Sequence, residues 1–400
     1  MANHVSGVRG LGKSPEFLKK AHLFEPVNGH SPVGGSVMAR VMACPASVSA
    51  CYGRPDSGAG KAAAEGTLAH EVAEKMFLAT RGANGGFIGG EGKFILFDLD
   101  LGDDDMRTYA VQYYDYVAGW LLGEKASIEV EMPVDYTDYM PGGTATADLV
   151  AYTDDTLHVF DYKYGMGPVS AYENEQLLSC LLGAYDSLDY LFGFVNLVVH
   201  IVQPRIHNFT SWEVPLERLE TFRTQLRATA MMIVSDKPRF QPGAKQCQWC
   251  RASADCKAQV EKVYAVSAQE FDPVEVEGLS GKEFSDVLDD LDLMEGFAKA
   301  ARKRALERLT AGYEIPGYKL VRGRKGARQW AFTTDQEIDA WLEENDVDEQ
   351  DRYTKKSITA VQAEKLGIDV SKVVSQKDGS LTYAPESDKR GAVNPSDEFD

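Results

Sequence analysis

Residues 143–163 read Gly-Thr-Ala-Thr-Ala-Asp-Leu-Val-Ala-Tyr-Thr-Asp-Asp-Thr-Leu-His-Val-Phe-Asp-Tyr-Lys. Two strand-like runs, Thr144 to Thr153 and Thr156 to Tyr164, flank the Asp154-Asp155 pair, and this pattern predicts a β-hairpin. Asp148 falls partway along the first strand; Asp161 and Lys163 fall on the second. Alternate residues of a strand point to the same side, so Asp161 and Lys163 share one space while Tyr162 faces the other. Hairpin pairing brings Asp148 to that space as well. Two carboxylates suit a hard divalent cation, and a neighbouring amine can orient or deprotonate water or stabilise developing charge. Hydrolysis of a phosphodiester needs both. An isolated Asp-x-Lys is most often a surface ion pair. This one is set apart by Val159-Phe160 before it, an acid on the preceding strand and Gln176 on the next predicted helix.

Outward from the hairpin, Ser127 to Pro133 predicts a further strand, Ala171 to Asp189 a helix, and Phe194 to Gln203 a strand buried on both faces. Thr210 to Val214 and Leu216 to Val234 add a strand and a helix, which closes a mixed α/β unit, a sheet flanked by helices. Upstream, a helix from Ala62 to Thr80 puts His70 and Glu74 on one face, and an aromatic-rich helix runs from Met106 to Gly123. Ser36 is expected to cap a short helix ending at Ala43, with residues 1–34 a flexible arm before it. The main domain is expected over 35–256. An extension over 257–384 then holds a long helix (Gly278 to Thr310), a hairpin (Tyr318 to Phe332) and two short helices, and a disordered tail occupies 385–400.

The chain has 400 residues, 44% hydrophobic and 26% charged, an ordinary globular balance with room for a sizeable core. Its net charge of −19 argues against nonspecific coating of nucleic acid, so any DNA must enter a local basic groove. No apolar run reaches the roughly 20 residues that span a bilayer, and the amino terminus lacks the apolar region of a secretory signal; no membrane partner and a cytoplasmic location are expected. Reduced cytosolic thiols point the six cysteines to free thiols or metal ligation rather than disulfides. Cys247, Cys250 and Cys256 form C-x2-C-x5-C and need a fourth ligand from far upstream, for which Cys44 is favoured over Cys51. Such a set takes zinc or an iron–sulfur cluster. Cys51 and Cys180 read as spare or buried thiols.

The order Gly66-Thr-Leu-Ala-His70, Gly143…Asp148, Asp161-Tyr-Lys163, Gln176-Leu177 resembles the RecB-like branch of the PD-(D/E)XK nucleases over residues 36–256. The resemblance implies a restriction-endonuclease-like core and Mg²⁺ or Mn²⁺ held by His70, Asp148 and Asp161. It also implies a catalytic Lys163, and a Gln176 that positions the motif or the DNA. The second acid is Asp161 where Glu is commoner, and Cys180 stands where an aromatic often follows the Gln. One cysteine before the His motif and three after the core resemble iron–sulfur members of that branch, helicase-associated and CRISPR-associated ones included. That implies a largely structural [4Fe–4S] cluster on Cys44, Cys247, Cys250 and Cys256, with Zn²⁺ as the rival.

Along nearly its whole length, the tail included, the chain is similar to phage-encoded proteins of this branch that carry no assigned function. The likeness implies work in phage replication or recombination in the host cytoplasm. The expected activity is a deoxyribonuclease, an exonuclease on DNA ends with single strands favoured, and the expected partners are DNA and a strand-annealing protein or polymerase. The alternatives are a catalytically weak DNA-binding module of the same fold and a zinc-stabilised scaffold. The basic runs Lys299–Arg308 and Lys319–Arg328, the second flanked by Tyr318 and Trp330, are candidate phosphate and base contacts.

Overall fold

The computed structural model describes residues 15–27, 29–55, 60–82, 85–87, 104–267, 280–323, 329–332, 334–352, 357–375, 381–385 and 393–394. Contacts divide the chain into two compact units, Met1–Phe297 and Ala298–Asp400.

In the first unit, helices α1 (Pro15–Lys20), α2 (Met38–Ala43), α3 (Ala46–Cys51), α4 (Lys61–Ala79) and α5 (Asp104–Trp120) precede β1 (Ser127–Asp135), β2 (Thr144–Tyr152) and β3 (Thr156–Tyr162). Then come α6 (Glu175–Phe192), β4 (Asn196–Gln203), β5 (Asn208–Glu213), α7 (Leu216–Val234), α8 (Ala244–Gln248) and α9 (Lys257–Ser267). The strands form one sheet in the order β1-β2-β3-β4-β5, with β3 and β4 parallel and the other pairs antiparallel. The predicted hairpin is present as β2–β3, with Leu149 opposite Phe160 and Val150 opposite Val159.

A parallel β3–β4 pair requires a crossover, which α6 supplies. Asn174 starts that helix by accepting hydrogen bonds from the Gln176 and Leu177 N–H groups, and Gly193, at φ 65°, ends it in the left-handed conformation. Gly183 lets α6 lie close on β1, since a Cβ there would stand 2.6 Å from Val134 Cβ. β4 is buried from Leu197 to Gln203, as its apolar run predicts for a strand covered on both faces.

Two hydrophobic clusters sandwich the sheet. One joins α6 and α7 residues such as Leu177, Leu181, Phe222 and Leu226 to Val150, Val159 and Val199. The other joins α4 and α5, through Met76, Phe77, Tyr113 and Tyr114, to Leu149, Phe160 and Tyr162. In β1, Ile128 and Val130 belong to the α4–α5 cluster, whereas Met132 and Val134 belong to the α6–α7 cluster. In β2, Leu149 and Ala151 lie with the first pair, Ala145 and Ala147 with the second. The alternation therefore reverses on both strands at one rung, where Glu131 has φ 49°, a left-handed conformation rare for a residue with a side chain.

Residues 15–34 correct the expected arm in their described part. Phe17, Leu23, Phe24 and Val33 are core residues, and Lys20 Nζ donates to the Ser235 carbonyl at the end of α7. The polar and glycine-rich composition hid four apolar anchors. Residues 1–14 of the arm lie outside the described residues. Ser36 sits inside a 3₁₀ turn, Gly35–Val37, rather than capping α2.

The expected boundary at 256 moves to 297. Helix α9 and the first part of α10 (Gly281–Thr310) stay with the first unit, where Lys262 and Asp290 pair at 3.1 Å. In the second unit β6 (Tyr318–Arg322) and β7 (Gln329–Trp330) do not pair with each other as a hairpin. β7 pairs with β8 (Val374–Ser375) and β6 with β9 (Leu381–Pro385), strands from far along the chain. Helices α11 (Asp335–Glu344), α12 (Glu349–Arg352) and α13 (Ala360–Lys365) lie between β7 and β8. Capping boxes Thr334/Glu337 and Thr359/Gln362 start α11 and α13, which bury Ile338, Leu342 and Ala363 in a third cluster. Trp330 packs on Phe332 and Trp341 in that core and donates to the Ile358 carbonyl at 3.1 Å, so it is committed to packing. The basic residues at 324–328, and all of the tail after Pro385 except 393–394, lie outside the described residues. Val393 N–H donates to the Leu320 carbonyl at 2.9 Å. Among the described residues no helix is long and apolar enough to cross a membrane.

Candidate functional site

The residues singled out on β2, β3, α4 and α6 come together at one place on the sheet. Lys163 follows β3 directly and is held in line with it by its N–H, which donates to the Val202 carbonyl at 2.9 Å. Its Nζ lies 3.0 Å from Asp161 Oδ1, 2.8 Å from Asp161 Oδ2 and 3.1 Å from Gln176 Oε1. Gln176 Nε2 donates in turn to Asp161 Oδ1 at 3.0 Å. Acid, amine and amide thus form a closed triangle, and the N-cap of α6 fixes its third corner. Asp161 is 5% exposed, a charge placed in the interior with its partners supplied.

Asp148 reaches the same space from β2. Its Oδ2 accepts the Tyr162 N–H at 2.8 Å and lies 3.5 Å from His70 Nδ1 on α4. The His70 ring sits edge-on to Tyr162, which stacks on Tyr113 of α5 at 4.8 Å. The aromatic character of α5 thus braces the site from below, beyond its share in the core.

Ligand atoms of His70, Glu131 and Asp148 lie within 4.8 Å of one another. That spacing fits donors around one cation, whose bonds to oxygen run about 2.0–2.6 Å for Mg²⁺ or Ca²⁺. Burial and the charge of Asp161 push the Asp148 carboxyl up to about 8, and burial together with Asp148 pushes Glu131 up to about 7. Burial lowers His70 against the pull of Asp161, which leaves the imidazole neutral with a lone pair to offer. Burial works to lower Lys163, yet Asp161 and Asp148 hold it above its ordinary value, so it remains an ammonium. Crowding thus makes these acids hold their protons near neutral pH, and a divalent cation that displaces the protons fits the three-donor group. Asp161, expected among the metal contacts, is not in that three-donor group: Lys163 and Gln176 engage its Oδ1, while its buried Oδ2, 2.8 Å from Lys163 Nζ, has no hydrogen-bond partner among the described residues.

Glu131 was not legible as a site residue. It reads as one polar position of an alternating strand, and only the pairing of β1 with β2 sets it opposite Asp148. Glu74, on the His70 face of α4, is not part of the three-donor group.

The cysteines gather elsewhere in the same unit. Cys44, Cys247, Cys250 and Cys256 line one small cavity between the end of α2 and the α8 region. Backbone N–H groups of Gln241 and Gly243 point at Cys44 Sγ (3.4 Å) and Cys247 Sγ (3.5 Å), as they do toward thiolates. Burial, with Cys44 and Cys256 beside it, raises the Cys247 thiol, a crowding that a bound metal would relieve. The four positions fit a metal or cluster. Cys51, read as a spare thiol, lies with its Sγ 3.6 Å from Cys250 Sγ and 3.5 Å from Arg40 Nη1. The hydrogen bond with Cys250 draws the Cys51 thiol down and pushes that of Cys250 up, so the two sulfurs share a proton. Cys180 is buried on α6 and donates to the Thr146 carbonyl at 3.8 Å.

Residues 30–391 match a protein family described as "Protein of unknown function (DUF2800)". A solved structure titled "Crystal structure of SSO0001" is similar over 48% of this chain and 84% of that one, with 14% identity and a TM-score of 0.23.

Proposed function

The chain belongs to the DUF2800 family, whose description assigns no activity, and we propose that it is a divalent-metal-dependent deoxyribonuclease of the PD-(D/E)XK type. One observation carries this reading: the Asp161–Lys163–Gln176 triangle stands beside a His70–Glu131–Asp148 donor group whose ligand atoms are spaced for one cation. Surface ion pairs have no reason to be buried, cross-braced by an amide and set against a crowded group of metal donors.

In this reading His70, Glu131 and Asp148 hold Mg²⁺ or Mn²⁺, with Asp161 at the border of the site. When bound, the cation supplies Lewis-acid polarisation of a phosphodiester and neutralises developing charge. Lys163, kept protonated by Asp161, donates a hydrogen bond to the attacking water or to the phosphoryl oxygens as charge builds. Gln176 prevents the long lysine side chain from swinging away. Asp148, fixed by the Tyr162 N–H, stays put whether or not the cation is present. Single-stranded DNA with free ends, met in phage replication or recombination, is the proposed substrate. A strand-annealing protein or polymerase is the proposed partner.

The cysteine site is proposed to hold a [4Fe–4S] cluster on Cys44, Cys247, Cys250 and Cys256, tying the segment after α2 to the segment after α7. A brown anaerobic preparation with iron and sulfide is expected; a colourless protein with one zinc ion per chain would replace the cluster with zinc.

The test of activity is digestion of labelled single-stranded DNA with Mg²⁺ or Mn²⁺ by the wild type and by Asp161→Ala and Lys163→Ala. Loss in both variants is expected. Unchanged digestion in either sinks the assignment, and a wild type that binds DNA without cutting it favours the binding-module reading.

A further inference from the structure

We infer that the groove running from Gln176 past Arg40 and Arg251 is a binding track for single-stranded DNA, which delivers the strand to the Asp161–Lys163 site; this rests on the nuclease reading above. The groove encloses about 760 Å³ and lies wholly within the first unit. One wall includes Gln176, whose side chain contacts both Asp161 and Lys163, so the groove reaches the residue that braces the proposed chemistry.

Its charge is opposite to that of the molecule. In a chain of net charge −19, the groove lining holds two guanidinium groups, Arg40 and Arg251, and a single carboxylate, Asp135. Asp135 Oδ1 already accepts the Thr137 N–H and hydroxyl at 2.7 and 2.6 Å. Arg40 donates to the Ser47 carbonyl and hydroxyl and to Cys51 Sγ, and Arg251 to the Arg54 carbonyl, so both guanidinium groups are held in place along the groove. Among the described residues neither has a carboxylate partner within ion-pair distance. Arg251, held by a neutral carbonyl, can meet a phosphate directly, and Arg40, which touches the Cys51 thiol, adds a second positive charge to the same groove.

Two aromatic residues complete the track. Trp249, between Cys247 and Cys250, is 82% exposed, and Tyr52, after α3, is 49% exposed; both line the groove. Exposed rings beside guanidinium groups match the chemistry of a single strand, whose bases stack on aromatics while its phosphates meet cations. A duplex keeps its bases stacked on one another and offers those rings nothing. Because Trp249 and Arg251 stand on the cysteine loop, the metal site acquires a second use: it holds the wall of the track in place.

The experiment measures the affinity of fluorescein-labelled (dT)20 by anisotropy, with Ca²⁺ in place of Mg²⁺, for wild type, Trp249→Ala, Trp249→Phe, Arg251→Ala and Lys125→Ala. Lys125 is an exposed cation outside the groove and controls for net charge. Trp249→Ala and Arg251→Ala should each weaken binding about tenfold, whereas Trp249→Phe and Lys125→Ala stay near wild type. Arg251→Ala should also flatten the slope of log affinity against log salt by about 0.7. Circular dichroism confirms that each variant is folded. Equal affinity across all five proteins, or no binding by the wild type, overturns the track. If the track variants weaken binding but Asp161→Ala and Lys163→Ala still digest DNA, the track stands and the nuclease site falls. If only those two lose digestion and the track variants bind normally, the nuclease site stands and the track falls.

Discussion

The backbone N–H of Tyr162 donates to Asp148 Oδ2 at 2.8 Å, so the strand that carries Asp161 and Lys163 also orients the acid of its neighbour. Asp148 takes its position from the main chain and needs no cation to order it. The side chains that remain adjustable are Glu131, His70 and Gln176, and the first and last of these give the most informative substitutions.

Gln176→Ala should leave stability nearly unchanged, because the residue is half-buried and its helix keeps the Asn174 cap. It frees Lys163 Nζ and Asp161 Oδ1 from their shared amide. Supporting contacts of this kind are worth about 10–100-fold in activity or metal affinity. Steady-state digestion kinetics should show the loss mainly in kcat, and an unchanged kcat would remove Gln176 from the site.

Glu131 separates backbone from carboxylate. Its φ of 49° suits glycine, so Glu131→Gly should be more stable than Glu131→Ala by about 1 kcal/mol in urea unfolding. Both should raise the Mn²⁺ concentration for half-maximal activity about tenfold or more, and Glu131→Gln should do the same without the stability difference. A metal titration that does not move in any of the three would place the cation elsewhere.

The pair His158 and His200 predicts acid lability. Both rings are buried, with His158 Nδ1 3.0 Å from His200 Nε2 and the Tyr116 hydroxyl 3.3 Å from His200 Nδ1. Burial holds His158 down at about 4, and burial with its neighbour holds His200 well below 6.5. The unfolded chain takes up protons from about pH 6.5 downward and the folded one does not. Stability is therefore full above that pH and falls through the window from 6.5 toward 4, by about 2 kcal/mol at pH 5 for His158, with His200 adding in the same direction. Imidazole NMR signals that titrate near pH 6.5 in the folded protein, or unfolding free energy that stays flat between pH 7 and 5, would contradict this.

Gly183→Ala adds one methyl group between α6 and β1, 2.6 Å from Val134 Cβ. Overpacking of this size costs about 1–3 kcal/mol. Since α6 carries Gln176, activity should fall with stability, unlike Gln176→Ala, where activity falls alone. Urea unfolding and digestion measured on the same preparations distinguish the two.

The hairpin, its acids, Lys163, Gln176 and the run Cys247, Cys250, Cys256 were legible because each depends on local periodicity or short spacing, whereas Cys44, far upstream, followed from the need for a fourth ligand. What escaped depends on partners distant in the chain. Glu131 gains its place from strand pairing and an unusual φ, neither visible in an alternating run. Phe17 and Phe24 lie in a polar, glycine-rich stretch whose composition outweighs two isolated rings. β6 and β7 look like consecutive strands of a hairpin, yet each finds a partner some 45 to 67 residues further on, as Trp330 opposite Val374 and Tyr318 opposite Pro385 illustrate. The aromatic Trp330, which composition marks as a base-stacking candidate, is claimed by a local core.

The reversal of alternation at the Glu131–Asp148 rung has a consequence for how β1 and β2 find each other during folding. In a uniformly alternating pair, slippage by one residue exchanges every inward side chain for an outward one, a single error repeated along the strand. Here a slip of β1 past β2 also separates the two turning points, so between them one strand has changed sides while the other has not. No sliding of the pair can satisfy both clusters, because each half demands the opposite correction. The left-handed kink that aims a carboxylate at the site thus acts as a notch in a key, admitting one alignment of the two strands.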